Sequence, residues 1–472
     1  MKILFATSEA GPFMRTGGLG DVAAALPQAL NKAKQDVRVI MPLYEGIKES
    51  YRQTMHFIGS KIVTLGWRQQ YAGVFMCQYD GVTYYFIDNE YYFKRSKIYG
   101  HYDDGERFAF FSRAVLEVMP MLDFNAEIIH CNDWQTALIP VMLDAFYRSD
   151  VNYREIKTVL TIHNIEFQGN MDKYCIQDVF GIPGSHVNVV EYNNCANMLK
   201  AGIEGANKVT TVSSTYAQEI LDPYYAYGLE HILEKRRYKI SGIVNGIDTN
   251  LFNPSKDVAL FKNYTASTAI KGKAENKKGL QEMVSLPVCD KPLIGMVTRL
   301  TNQKGLDLVM EVLEDILSMD VQMVVLGTGD WKYETALSEM AKRYGSKLSV
   351  VINFSGDIAS KIYAGSDMFL MPSKFEPCGL SQLIAMRYGS VPIVRETGGL
   401  KDTVIPFNPE DKTGRGFTFK TYNAYDMLDA IKRALGTYAN KEEWNACMKN
   451  AMSGDYSWKV SAKQYIDLYK GI

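Results

Sequence analysis

An α/β fold made of two parallel-sheet domains is the architecture this sequence predicts, and three observations point to it. Short β-branched or apolar runs alternate with longer helical patterns through most of the chain, the signature of strands covered by helices on both faces. That rhythm fills the first half and restarts after Pro292. At 472 residues the chain is also too long for one ordinary core, and two domains are the economical count.

Taken in order, strands are expected at Lys2 to Ala6, Val37 to Met41, Thr83 to Ile87, Glu127 to His130, Thr158 to Ile162, Lys208 to Val212 and Ile240 to Val244. The second half offers Leu293 to Val297, Val321 to Leu326, Leu348 to Phe354, Asp367 to Met371 and Val391 to Val394. A hinge near Ile240 to Asp248 separates an N-terminal domain, 1–244, from a C-terminal domain, 245–455. The stretch from Asn253 to Lys291 is polar and lysine-rich, with Pro254 and Pro287 as punctuation, and reads as a connection or peripheral helices rather than core. The last segment, 456–472, carries helical periodicity behind Ser457, a plausible N-cap, and suits packing on either domain. Two doubly wound halves of this kind suggest a cleft between them as the place for a ligand.

Composition removes several function classes. Fifty-two basic against 53 acidic residues leave a net charge of −1, without the basic excess of a nucleic-acid binder. No apolar stretch reaches the roughly 20 residues that span a membrane, and the apolar start is broken at once by Thr7, Ser8 and Glu9. Seven cysteines, odd in number and without Cys-x-x-Cys spacing, suit reduced thiols in a cytoplasmic protein.

The chemistry-bearing motifs sit where strands end. Arg15-Thr16-Gly17-Gly18-Leu19-Gly20-Asp21 follows the first strand and opens a helix, so backbone N–H groups and a helix N-terminus can meet a diphosphate oxygen. The plain alternative is a tight strand-to-helix turn. Thr397-Gly398-Gly399-Leu400 echoes this loop in the second half. Between them, Arg299 and Lys304 frame a loop after the strand at Leu293, a cation pair able to neutralise a departing diphosphate or else two solvated surface charges. No Asp-x-Asp or His-Glu-x-x-His motif is present, so no metal is expected.

Glu376, in Phe375-Glu376-Pro377-Cys378-Gly379-Leu380, follows the strand ending at Met371, where doubly wound folds place ligands; its plain reading is a helix N-terminal charge. Cys378 reads as a packing residue. His163 to Gly169 and His130 to Gln135, which includes Asp133 and Trp134, end successive strands and suggest a polar floor for a polyol. The aromatic run from Tyr84 to Phe93 offers sugar-stacking rings, or simply core.

These motifs, in this order and over nearly the whole chain, resemble bacterial glycogen synthases and plant starch synthases, with Val244-Asn245-Gly246-Ile247-Asp248 as a further match. The resemblance implies a GT-B glycosyltransferase with two Rossmann-like domains facing a deep cleft, and a terminal helix that crosses back to the first domain. It implies a retaining enzyme that uses ADP-glucose, releases ADP and elongates α-1,4-glucan at the non-reducing end, with no metal or other cofactor.

The same resemblance implies roles for individual residues. His163, Glu376, Arg299, Lys304 and Asp133 would be catalytic. The donor would meet Arg15, Gly17, Gly18, Asp21, Asn245, Phe354, Cys378, Gly379, Leu380, Thr397, Gly398 and Gly399. The acceptor, glycogen, starch or a maltooligosaccharide, would meet Phe93, Arg95 and Trp134. Two positions depart from the family pattern: Arg15 stands where lysine is usual, and the Pro-Gly common after the arginine is missing from Tyr92 to Lys97. A non-catalytic glucan-binding homologue, a UDP-glucose enzyme and a small-acceptor glucosyltransferase are the alternatives.

Overall fold

The apolar runs become strands of two separate sheets in a computed structural model that describes residues 1–472. The chain divides into one unit of Met1–Asn245 with Trp458–Ile472 and another of Gly246–Ser457. No helix is long and apolar enough to cross a membrane.

In the first unit the chain forms β1 (Lys2–Ala6), β2 (Asp36–Pro42), β3 (His56–Leu65), β4 (Arg68–Tyr79), β5 (Val82–Asp88), β6 (Ile128–Asn132) and β7 (Lys157–Ile162). Three short strands, β8 (Asn170–Asp172), β9 (Glu191–Tyr192) and β10 (Cys195–Asn197), make a small sheet. The chain then returns to the large sheet with β11 (Lys208–Thr211) and β12 (Ile240–Gly242). The large sheet runs β12-β11-β7-β6-β1-β2-β5-β4-β3. It is parallel except where β3 and β4 form an antiparallel hairpin added to β5. Ile3, Leu4, Phe5 and Ala6 are all fully buried, the continuous apolar pattern of a strand covered on both faces.

The second unit forms β13 (Leu293–Val297), β14 (Gln322–Gly327), β15 (Leu348–Ile352), β16 (Met368–Met371), β17 (Val391–Arg395) and β18 (Phe417–Phe419). Their order is β15-β14-β13-β16-β17-β18, all parallel, which is the 3-2-1-4-5-6 winding of a dinucleotide-binding sheet. At its centre Gly295 lets the helix Gly356–Gly365 lie close, since a Cβ there would sit 2.7 Å from Ile362 Cγ2.

Three expectations need correction. The β3–β4 hairpin escapes a search for apolar runs because most of β3 is exposed and only Val63 and Leu65 are buried. The lysine-rich stretch before Pro292 is not all peripheral: it contains the helix Ala269–Met283, whose Lys273 and Lys277 are buried. Lys273 Nζ donates to the carbonyls of Ala364 (2.8 Å), Ser366 (2.9 Å) and Tyr388 (3.2 Å), satisfying carbonyls at the C-terminal ends of two helices. The third concerns His130, which is no part of an open polar floor. It is fully buried inside β6, with Nδ1 2.7 Å from Tyr469 Oη and Nε2 2.6 Å from Thr161 Oγ1.

That histidine holds the end of the chain. The helix Trp458–Lys470 packs in the first unit against the helix Gly18–Lys32. Ser461 Oγ donates to the carbonyl of Val244 at 2.6 Å.

Candidate functional site

In the second unit the winding reverses between β13 and β16, and the crevice this opens beyond their C-terminal ends is where such sheets bind ligands. The loops bordering it carry Arg299, Lys304 and Glu376. Lys304 Nζ lies 2.6 Å from Glu376 Oε2, and Ser373 Oγ donates to the same oxygen at 2.9 Å. Glu376 is 7% exposed, so its carboxylate is held by a fixed pair of donors rather than by water. Arg299 is exposed, with only a long 3.5 Å contact from Nη2 to Gln303 Oε1. The crevice thus presents one exposed guanidinium beside one anchored ammonium–carboxylate pair.

Glycine backbones bring these loops together. Gly305 has φ +75°, and a Cβ on it would lie 2.2 Å from the Pro372 carbonyl oxygen. Lys374 N donates to the carbonyl of Gln303 at 2.8 Å across the same contact. Gly398, φ +44°, would place a Cβ 2.0 Å from the Glu376 carbonyl oxygen, and Gly399 one 2.1 Å from that of Cys378. The glycines of the Thr397–Leu400 motif are therefore required by close packing against the Glu376 loop, whatever else their N–H groups do. Cys378 is buried, Gly379 has φ +73° and Leu380 is half-buried. Phe354, beyond β15, is 87% exposed, an open aromatic face.

In the first unit the winding reverses at β1, between β2 and β6, and the loops after β1, β6 and β7 converge there. Glu9 organises the first. It is buried, and its carboxylate accepts from Thr16 N (2.6 Å), Thr16 Oγ1 (2.7 Å) and Gly20 N (3.2 Å). Burial raises its pKa against the lowering effect of those donors. Arg15 Nη1 donates to Asp21 Oδ1 at 2.6 Å, so the guanidinium is tied to its own loop. A Cβ on Gly18 would meet nothing within 4 Å, and one on Gly17 only Glu9 Oε1 at 4.0 Å; packing does not demand glycine at either place.

Asp133 and His163 follow β6 and β7. Asp133 Oδ1 accepts from His163 N at 2.7 Å, and Asp133 itself sits at φ +56°, a strained conformation for a non-glycine residue. Burial pushes its carboxyl up to about 7, opposed by the N–H groups of His163 and Asn164. Burial also lowers His163 to about 3, so the imidazole is neutral at ordinary pH. Asn132 Nδ2 donates to the Ala6 carbonyl at 3.0 Å, which turns Oδ1 toward His163 Nε2, 3.0 Å away. That oxygen can only accept, so Nε2 carries the proton.

The remaining expected residues are scattered. Trp134 packs edge-on against Phe108, with Gly169 beneath its ring. Phe93 is fully buried among Tyr44, Phe110 and Phe111 and offers no surface to an acceptor. Arg95 is clamped to both oxygens of Asp103 at 2.9 and 2.7 Å. Asn245 is buried with Oδ1 lacking a hydrogen-bond partner. The residue that sequence reasoning missed is Glu9; its only signal was a carboxylate placed just after β1 and just before a glycine-rich loop.

Comparison with known proteins matches this geometry. Residues 2–235 fit the starch synthase catalytic domain family and residues 280–452 the glycosyl transferases group 1 family. A glycogen synthase from Clostridium acetobutylicum is 53% identical, with 100% of both chains covered. One from Geobacillus stearothermophilus is 49% identical over 100% of this chain and 97% of its own. The catalytic domain of starch synthase IV from Arabidopsis thaliana, solved bound to ADP and acarbose, superposes with a TM-score of 0.90 at 32% identity, covering 100% of this chain and 99% of that one. Two parallel-sheet units, the reversal-point loops and relatives of this similarity over the full length lead to one assignment: the chain belongs to the glycogen and starch synthase family of glycosyltransferases, with the GT-B fold.

Proposed function

We propose that the protein elongates α-1,4-glucan by transferring glucose from ADP-glucose to the 4-hydroxyl of a non-reducing end, releasing ADP. The observation that carries this reading is the Lys304–Glu376 pair with Arg299 beside it at the reversal point of a dinucleotide-binding sheet. It is supported by the glycogen synthase relatives and by the ADP held by the starch synthase neighbour.

In this reading residues 245–455 form the donor side and residues 1–244 the acceptor side, while the helix in 456–472 belongs with the latter. Arg299 and Lys304 neutralise the diphosphate as the bond to the anomeric carbon breaks. Glu376, oriented by Ser373 and Lys304, accepts hydroxyls of the glucose, and Phe354 stacks on the base. The acceptor oxygen attacks from the face the diphosphate leaves, so configuration is retained, and the departing phosphate oxygen takes the hydroxyl proton. His163, neutral and held by Asp133 and Asn132, lines the sugar side. The glycine-rich loop of Gly17 and Gly18 meets the donor with backbone N–H groups, leaving room where side chains would intrude. No resident metal enters the scheme.

The test is transfer of radiolabelled glucose from ADP-glucose, with UDP-glucose in parallel, onto glycogen in the presence of a chelator. Chain extension from ADP-glucose is expected. A protein that binds glycogen yet transfers from neither donor overturns the reading, and dependence on added metal overturns the metal-free scheme.

A further inference from the structure

The loop ahead of the helix Asp104–Val118 has no part in the scheme so far, because Phe93 is core and Arg95 is clamped to Asp103. Its shape is fixed all the same, by side chains and not by the Pro-Gly of the family pattern. Arg107, fully buried in that helix, donates from Nε to the carbonyl of Tyr92 at 2.7 Å and from Nη1 to that of Ile98 at 3.2 Å, and it pairs with Asp104. Gly100 N donates to Asp104 Oδ2 at 2.8 Å, and His101 Nε2 lies 2.9 Å from the Lys97 carbonyl oxygen. A loop tied at both ends and in its middle can hold one group in one place.

That group is Tyr99, next to the anchored Ile98. Its hydroxyl lies 2.7 Å from Ser8 Oγ. Its ring centroid is 6.0 Å from that of Phe108, which in turn meets Trp134 edge-on at 5.2 Å. Burial, with Glu9, Tyr44 and Asp133 nearby, raises its pKa well above the usual phenol value, so it stays a neutral hydroxyl.

Ser8 links this loop to the glycine-rich one. It is fully buried just beyond β1, beside Glu9. Tyr44 Oη donates to the Ser8 carbonyl and Thr7 Oγ1 to the Glu9 carbonyl, both at 2.8 Å, which fixes the main chain there, while Tyr99 holds the Ser8 side chain. Glu9 in turn gathers Thr16 and Gly20. Packing gives the tip of that loop no support of its own, since a Cβ on Gly18 would meet nothing within 4 Å. Its place is therefore set from behind, by a chain of contacts that runs from Arg107 through Ile98, Tyr99 and Ser8 to Glu9 inside one unit.

We propose that Tyr99 is a positioning residue for glucosyl transfer: through Ser8 it fixes Glu9, and so the glycine-rich loop that meets the donor. The inference rests on the function proposed above, because it takes this loop as part of the donor site.

The experiment uses the full-length enzyme. Tyr99→Phe removes only the hydroxyl, and Ser8→Ala removes its partner. Hydrogen exchange read by mass spectrometry follows the Thr16 and Gly20 amides in ligand-free protein, and steady-state assays give kcat and KM. Each single variant should speed exchange across residues 15–20 about fivefold and lower kcat/KM for ADP-glucose about fivefold, the effect of one lost hydrogen bond. KM for glycogen should stay within about twofold. The double variant should be no worse than either single one, because both remove the same contact. Unchanged exchange and kinetics, whatever the melting temperature, overturn the proposal, as do additive losses in the double variant or an equal loss for glycogen. Exchange needs no substrate, so the positioning is judged even if wild-type enzyme transfers no glucose, the outcome that would instead sink the proposed function.

Discussion

The two halves of the molecule hold their polar site residues by opposite means. In the second unit charge is matched with charge: Lys304 and Glu376 lie 2.6 Å apart and Arg299 stays exposed and available. In the first unit, beside the ion pairs of Arg15 with Asp21 and of Arg95 with Asp103, the residues after β6 and β7 have their charge withdrawn, since burial drives Asp133 up to about 7 and His163 down to about 3. A half built of fixed charges suits the stabilisation of a leaving diphosphate. Hydrogen-bonding groups with their charge withdrawn, as at Asp133 and His163, suit a sugar, whose hydroxyls ask for donors and acceptors and not for net charge. The glycines divide in the same way, with Gly305, Gly398 and Gly399 demanded by backbone packing and Gly17 and Gly18 lying open.

The contrast is most exposed at Arg299. Replacing it with alanine should cost about 10²- to 10³-fold in kcat, on the order of 3 to 4 kcal/mol of transition-state stabilisation, with little change in melting temperature because the side chain is exposed. Near-normal turnover in that folded variant would remove the charge-matching half of the comparison.

Glu9→Gln probes the open glycine loop. The amide keeps the shape but cannot accept from Thr16 N, Thr16 Oγ1 and Gly20 N together, so kcat/KM for ADP-glucose should fall about 10- to 100-fold, corresponding to about 1.5 to 3 kcal/mol for hydrogen bonds to a charged group. Glycogen KM should move far less. An equal loss for both substrates makes Glu9 a general structural residue and not the positioning residue of the donor loop.

Tyr469→Phe leaves His130 Nδ1 buried without its partner and should lower stability by about 1 to 3 kcal/mol while kcat in the folded enzyme is retained. Chemical denaturation measures the first and steady-state assay the second. A loss of kcat with unchanged stability contradicts the purely anchoring role of this helix.

The last comparison is the pH dependence set by Asp133, read as a shift in melting temperature. Its folded-state pKa is raised, so the stability it contributes is complete below about 4, the unfolded value, and is lost as pH rises through about 7. Asp133→Asn should therefore melt close to wild type at pH 4 and gain about 3 °C relative to it by pH 8. His163 acts in the other direction: its lowered pKa gives stability that is full above about 6.5 and lost as pH falls toward 3. A difference between Asp133→Asn and wild type that does not change with pH means that Asp133 is ionised in the folded protein, and the charge-withdrawn half loses its support.

Much of this was legible in the chain. Strands such as Leu293–Val297 are buried on both faces and read as unbroken apolar runs, and the motifs at their ends mark the reversal-point loops before any coordinate is known. The hairpin β3–β4 was not, because one of its strands is largely exposed and carries no apolar run. Lys273 reads as a surface charge and is buried because carbonyls from residues 91 and 115 positions away converge on it. Phe93 reads equally well as a sugar platform or as core, and only its neighbours decide for core.

What the sequence determined by itself is the set of local choices: where strands begin and stop, which loops need glycine, and which charged residues lie at strand ends. These follow from hydrophobic periodicity and backbone conformation, which act over a few residues. Only the tertiary structure decided which of those groups meet. Lys304 pairing with Glu376 72 residues later and His130 receiving Tyr469 339 residues later are contacts that bring distant parts of the chain together, whereas Glu9 reaching round to Thr16 and Gly20 is the closed form of a single loop. Burial, which sets the protonation of Asp133 and His163, exists only once the fold has closed around them.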